Sequence, residues 1–406
     1  MRLTLGIVAV GTAGLMGAAI PNYDSPDESV FVDNLERGER ESLLYVWTRD
    51  ADGKDSDFLA VVDVDPGSES YGEIIDRAPT GSAANEAHHF GYNTDASRIY
   101  GGGLFSNKLF IYDVESNPRD PKLIRTVDLD PTGYSGPHTL YAVPGGVLLS
   151  MLGQVGGGGP AALVKVNDAG EFLEAYPAEG SDVPKYMYDV GVKPQINRMI
   201  TSSWAHPEHV KEMGGANPED VGDEVVVWDW KNKEVLRVEH LDATPLEVRW
   251  LHGPRAHGGF INCAYGNTVW YWEDTDGDDQ LEFHRVIEEL PEGSVPADMR
   301  VSYDNRFLYV SLWGAGEVRQ YDVSNPLQPT LVSKVDIPQP NMMSLSRDNR
   351  RLYVTNSLLS TMDGDVEFGA WMIHVGPEGM KIDENFAPDF YKFDTGPAGP
   401  HDMLLK

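Results

Sequence analysis

Gly-Pro-His-Asp-Met-Leu-Leu-Lys, residues 399–406, is an unusually apolar chain end, and chain ends fray unless something ties them down. It has two echoes upstream. Gly-Pro-His-Thr-Leu-Tyr runs from Gly136 to Tyr141, and Glu-Ala-His-His-Phe-Gly from Glu86 to Gly91. Each sets a histidine just ahead of a short β-type run. The three segments are expected to be inner strands of one closed β-propeller. The tail then completes the ring, and His88, His138 and His401 meet at its axis.

Working outward, the pattern from Glu41 onward is strand, turn, strand. Leu43 to Thr48, Phe58 to Val64 and Tyr71 to Asp76 deliver three strands before His88-His89. The order then recurs with one strand more, through Arg98, Lys108 and Leu123, and four short strands divided by turn residues make one propeller blade. Phrases repeat. Asp304-Asn305-Arg306-Phe307-Leu308-Tyr309-Val310 returns as Asp348-Asn349-Arg350-Arg351-Leu352-Tyr353-Val354. Anchors on the second strand of each unit fall at Tyr45, Tyr100, Val147, Met199, Ile261, Tyr309 and Tyr353, spaced by 44 to 62 residues. That spacing is in the range of blades. The expected fold is therefore all-β, a seven-bladed propeller over residues 41–406 closed by pairing the C-terminal strand with N-terminal strands. Such closure leaves no sheet edge unpaired.

Composition narrows the function. With 64 acidic against 32 basic residues the formal charge is −32, which repels phosphate backbones and anionic lipid. Neither nucleic-acid binding nor membrane binding by the propeller is expected. The single cysteine, Cys263, permits no internal disulfide, no cysteine zinc site and no CxxC redox pair. Residues 1–23 read as a signal peptide: Arg2, an uncharged run from Leu3 to Ile20, and small residues at Gly17-Ala18-Ala19. A membrane anchor is the competing reading. Either places the bulk of the chain outside the cytoplasm, periplasmic or secreted.

The first strand of a blade lines the axis, so the axial residues are expected at His88-His89, His138, Tyr188-Asp189, Glu247-Val248-Arg249, Asp298, Asn341-Met342 and His401-Asp402. Three imidazoles from consecutive blades can converge on one ion. Neutral imidazole suits copper, zinc, iron or nickel, whereas calcium and magnesium prefer oxygen. Hydrogen-bonded histidines in a channel are the bland alternative. Asp402 and Glu86 are expected behind the far ring nitrogens, and His252 is a further candidate ligand. Asp298, Asp189 and Glu247 are candidate proton relays on the channel wall. Asp274 to Glu282 packs carboxylates at alternate positions, either a calcium site or a solvated acidic turn. No nucleophile elbow, phosphate-binding loop or dinucleotide fingerprint is present.

Several longer phrases carry a family resemblance. They include His-His-Phe-Gly-Tyr-Asn-Thr from His88, Pro-Leu-Glu-Val-Arg-Trp-Leu-His-Gly-Pro from Pro245, the run from Asp304 to Pro329, and the final His401. In combination the chain resembles the selenium-binding protein family, whose bacterial members include methanethiol oxidase. The resemblance implies a seven-bladed propeller and a copper-dependent oxidation of methanethiol by O2, giving formaldehyde, hydrogen sulfide and hydrogen peroxide. It implies His88, His89, His138 and His401 as the copper histidines, and a non-catalytic selenium- or metal-binding protein as the alternative. The chain departs from the family pattern in two places. Asp95-Ala96-Ser97 stands where a cysteine pair is usual, and Leu140-Tyr141 where many members place a second histidine.

Overall fold

The computed structural model describes residues 40–177, 183–213, 221–273 and 280–406. They form seven four-stranded antiparallel sheets arranged as a propeller. Blade 1 is the closing blade, with Ala398–Leu405 innermost, followed outward by Leu43–Asp50, Ser56–Asp63 and Ile74–Ala83. Blades 2 to 4 have inner strands Ala87–Tyr92, Tyr134–Val143 and Val190–Lys193. Blades 5 to 7 have inner strands Pro245–Trp250, Pro296–Val301 and Met343–Leu345. Among the described residues one short α-helix, Pro207–Met213, stands outside the sheets.

The tail closes the ring as its apolar sequence requires. Leu44 pairs with Leu405, Tyr45 with Leu404, Val46 with Met403 and Trp47 with Asp402. Every residue of the last strand is buried. Both faces of an inner or second strand meet a neighbouring blade, which is why these strands read as unbroken apolar runs rather than alternating ones. One cluster of buried side chains joins Tyr45, Trp47 and Phe90 between blades 1 and 2, and another joins Val46, Tyr353 and Met372 between blades 7 and 1. Similar clusters fill the remaining seams. The outermost strands, such as Lys122–Asp128, carry exposed charge that blunts their free edges.

One backbone device recurs at the axis. In blade 2 Ala87 pairs with Gly103 but Phe90 with Gly101, so His88 and His89 together face Gly102. The same slip sets His138-Thr139 against Ser150, Leu246-Glu247 against Asn262, and Ala297-Asp298 against Ser311. In blade 1 Trp47 pairs with Asp402 and Thr48 with Pro400, leaving His401 as the extra residue. These are β-bulges, which bend a strand and re-aim its side chains.

The residue opposite the bulge then ties it down. Ser150 Oγ accepts the Thr139 N–H at 2.9 Å, Asn262 Oδ1 that of Glu247 at 3.0 Å, and Ser311 Oγ that of Asp298 at 2.9 Å. Each also donates to the next blade: Ser150 to the Tyr188 carbonyl, Asn262 to that of Pro296 at 2.6 Å, and Ser311 to that of Asn341 at 2.7 Å. Buried backbone groups are thus satisfied across the seams, as interior polar groups must be.

Candidate metal centre

The bulges present two residues to the axis, and just ahead of the blade 4 strand Tyr188 and Asp189 do the same, both bonded to Ser202. The first of each pair gives a layer containing His401, His88, His138 and Tyr188. The second gives Asp402, His89, Thr139, Asp189, Glu247 and Asp298. The imidazoles of His88, His89 and His401 bring ligand nitrogens to within 4.8 Å of one another. The His88 and His401 rings stack at 3.8 Å between centroids. His138 joins them, with its Nε2 3.1 Å from His88 Nε2. That separation suits either one N–H···N bond or two ligands turned to one ion. On its far side His138 lies against the Tyr188 ring, 3.7 Å away.

Outer hydrogen bonds decide which ring nitrogens face inward. His401 Nδ1 donates to the Ser357 carbonyl at 2.7 Å, which leaves the Nε2 lone pair free. His89 Nδ1 donates to Asp402 Oδ2 at 3.1 Å, again freeing Nε2. Neither Nε2 has a hydrogen-bond partner, and both are buried. His88 Nδ1 is also buried without a hydrogen-bond partner. Buried imidazoles with orphaned nitrogens, gathered this closely, are a donor set that suits a borderline or soft metal.

Burial drives the electrostatics. It holds His88 and His138 well below the ordinary imidazole range, helped by their neighbouring imidazoles. It brings His401 down to about 3. These rings stay neutral, the form that ligates. Burial also presses on His89, but the Asp402 hydrogen bond and the charges of Asp402, Glu247 and Asp189 outweigh it and leave His89 raised. Burial pushes Asp402 up too, yet the His89 bond holds it below the usual carboxylate range.

Across the axis three carboxylates share one guanidinium. Arg249 Nη1 reaches Asp189 Oδ2 at 2.9 Å, and its Nη2 reaches Glu247 Oε2 at 2.6 Å and Asp298 Oδ1 at 2.7 Å. Geometry separates the three. Asp189 spends Oδ1 on Thr139 and the Val190 N–H, and Oδ2 on the Val248 N–H of the next blade and on Arg249. Asp298 likewise binds the Met299 N–H through Oδ1 and the Met343 N–H through Oδ2. Both are ties between blades. Glu247 alone keeps an oxygen, Oε1, without a hydrogen-bond partner, 3.9 Å from His89 Nε2. Burial raises the Glu247 carboxyl to about 8, with Asp189 and Asp298 adding to it and Arg249 opposing.

Two sequence expectations fall elsewhere. His252 is not with the other histidines: its Nε2 meets the Val301 carbonyl at 3.0 Å and its ring packs on Tyr303. Its bond to the end of the blade 6 inner strand holds it beyond the bulge layers. Glu86 touches no imidazole. It lies at the start of the blade 2 strand but turns outward, binding the Ser360 N–H at 2.8 Å and approaching Arg49 at 3.7 Å. Of the acidic stretch Asp274 to Glu282, residues 274–279 lie outside the described residues. The Ser357 carbonyl that orients His401 was not foreseen, because a backbone acceptor leaves no side-chain signal.

A family model described as 56kDa selenium binding protein matches residues 18–406. The chain belongs to that family. Among family relatives, it is 32% identical to a methanethiol oxidase of Hyphomicrobium sp, over 97% of this chain and 94% of the relative. Selenium-binding protein 2 of Mus musculus is 30% identical over 94% of this chain and 95% of its own length. A solved structure of a hypothetical selenium-binding protein from Sulfolobus tokodaii matches with TM-score 0.82 at 30% identity. It covers 95% of this chain and 97% of its own, so this branch of the family shares the propeller throughout.

Proposed function

We propose that this selenium-binding-family propeller is an oxidoreductase that oxidises a small thiol with O2 at a copper ion held by His88, His89, His401 and His138. The observation that carries the reading is the convergence of buried imidazoles with unpartnered nitrogens on the inner strands of consecutive blades. Relatives bearing the name methanethiol oxidase support the substrate class. The reaction proposed is methanethiol, O2 and water to formaldehyde, hydrogen sulfide and hydrogen peroxide. When bound, copper supplies a one-electron redox couple and a soft centre that suits thiolate sulfur.

The chain's own residues do the rest. Asp402 and the Ser357 carbonyl fix the two imidazoles whose Nε2 atoms face inward. Arg249, Asp189 and Asp298 lock the facing wall. Glu247 Oε1, unpartnered beside His89, is the carboxyl oxygen placed to relay a proton at the site. The cavity beside these groups measures about 130 Å³ and admits only a small molecule.

The alternative, a selenium- or metal-binding protein without turnover, finds less support. Cys263 is fully buried and burial raises its thiol, so it offers no reactive sulfur for selenium. Among the described residues no helix is long and apolar enough to cross a membrane. The exported location remains part of this reading and rests on residues 1–23. Elemental analysis of protein carrying its native metal, joined to sulfide and peroxide release from methanethiol, is the test. Copper with turnover is expected. Bound metal with no product favours the binding protein, and no metal removes both.

A further inference from the structure

The two ends of the propeller axis differ in kind. Each inner strand runs the same way, so residues before its bulge lie on one face and residues after it on the other. On the first face a single cluster of buried apolar side chains gathers Leu104, Leu152, Trp204, Leu246 and Leu359 from blades 2, 3, 4, 5 and 7, and the half-buried Val295 of blade 6 packs against it. Fed from six blades, it surrounds the axis on that face. It lies against the first layer, since Tyr188, which packs on His138, belongs to it. A cleft of about 310 Å³ on that face, lined by Arg49, Asp57, Glu86 and Ser360, includes none of the four histidines. The Arg49–Asp363 ion pair at 2.6 Å stands between it and Ser357, the partner of His401.

The other face is open. The axial cavity starts at His89, Asp402 and Glu247 of the second layer and runs past Arg249 and Arg300. Both arginines keep 17% of their side chains exposed, whereas His88, His138 and His401 keep at most 2%. The cavity ends among turn residues Glu41, His252, Tyr303 and Arg347. There the Arg347 guanidinium lies over the Tyr303 ring at 4.4 Å, and Glu41 accepts the Arg347 N–H at 2.8 Å.

We propose that small molecules reach the axial site from one side only, through the mouth bounded by Arg347, Tyr303, His252 and Glu41. The apolar plug closes the other mouth, and the Arg347–Tyr303 pair sets the size limit at the open one. Thiol and O2 enter, and products leave, by that route. The route itself does not depend on metal. Its consequence for substrate size rests on the thiol chemistry proposed above.

The single buried cysteine makes the test clean, because the background thiol is silent. In the purified full chain, thiols introduced by Ser344→Cys, on the cavity wall, and by Leu359→Cys or Ala205→Cys, in the plug, are exposed to methyl methanethiosulfonate. The thiol at position 344 is expected to react readily, and those at 359 and 205 only after unfolding in urea. Adding Arg347→Trp to the Ser344→Cys protein is expected to slow labelling about tenfold, since exchange depends on access to the sulfur. Adding Arg347→Ala instead is expected to admit a bulkier maleimide. Plug thiols that label as fast as the one at 344 overturn the one-sided route. A rate indifferent to both changes at Arg347 overturns the mouth. Neither result bears on whether copper or turnover is present, so this inference and the thiol chemistry fail separately.

Discussion

Blades 1 to 3 and blades 4 to 6 share one backbone device at the axis and fill it with opposite chemistry. On the first arc the bulges present His401, His88, His89 and His138, and there His401 Nε2, His89 Nε2 and His88 Nδ1 are left without partners. On the second they present Asp189, Glu247 and Asp298 around Arg249, and there every oxygen but Glu247 Oε1 is bonded. One arc has spare binding capacity; the other has almost none. A ring built of like units thus divides its labour. The acidic arc joins blades to one another, and the histidine arc is held in readiness for something not supplied by the chain.

The comparison is broken most severely by removing an imidazole. His401→Ala deletes a proposed ligand nitrogen and the bond to Ser357. The expected loss of copper affinity exceeds the about 10–100-fold that losing an outer partner costs. Product release should vanish with it. Competition with a chelator and sulfide assay check both, and full turnover in this variant would refute the site. On the opposite arc, Asp298→Ala leaves Arg249 and Arg300 short of a buried carboxylate and frees the Met343 N–H. Breaking a buried pair this way costs about 3–5 kcal/mol. Chemical denaturation should show that loss while the affinity for metal holds.

How much of this was legible beforehand follows the same division. The fold was readable because blade phrases recur in one dimension: Tyr309 and Tyr353 sit at the same place in near-identical phrases, and the apolar tail had to pair with something. His88, His138 and His401 were legible because a histidine before a strand is conspicuous. Ranking Glu247 above Asp189 and Asp298 was beyond the sequence, since all three are carboxylates at the same place in a blade. Only the paths of their hydrogen bonds separate them. Glu86 misled because its left-handed backbone, φ 56°, just ahead of the strand sends the buried carboxylate to Ser360 and Arg49 instead of to an imidazole. Ser150, Asn262 and Ser311 went unremarked, as one small polar residue in an apolar strand carries little signal. Aligning the second strands shows them two residues beyond Leu148, Phe260 and Tyr309.

The seam between blades 1 and 2 offers a finer contrast. Gly102 stands opposite the bulge there and has no side chain to tie it. Asp57 serves instead, accepting the Asp50 N–H at 3.1 Å and the Ala87 N–H at 3.0 Å. Asp298 has guanidinium partners, whereas Asp57 is buried without one, and burial raises it to about 7. The sign follows. Between its unfolded value of 3.8 and about 7 the folded chain holds a proton that the unfolded chain has released, so this group's contribution to stability falls as pH rises through that window. Asp57→Asn should flatten that part of the stability–pH profile. A profile of unchanged slope would show that Asp57 titrates normally.

The smallest expected effect sharpens the comparison best. Ser311→Ala and Ser150→Ala each remove one hydroxyl that accepts an N–H from its own blade and donates to a carbonyl of the next. Leaving those buried groups unsatisfied costs about 1–3 kcal/mol in either case. Stability alone will not tell the arcs apart. Metal will: Ser150 holds the N–H of Thr139, whose hydroxyl lies 3.3 Å from His138 Nδ1, while Ser311 holds only the acidic arc. Copper affinity should therefore fall in the Ser150 variant and stay level in the Ser311 variant at equal thermal cost. Equal affinities in the two would mean that His138 is positioned by its packing on Tyr188, and that the bulge ties serve stability on both arcs alike.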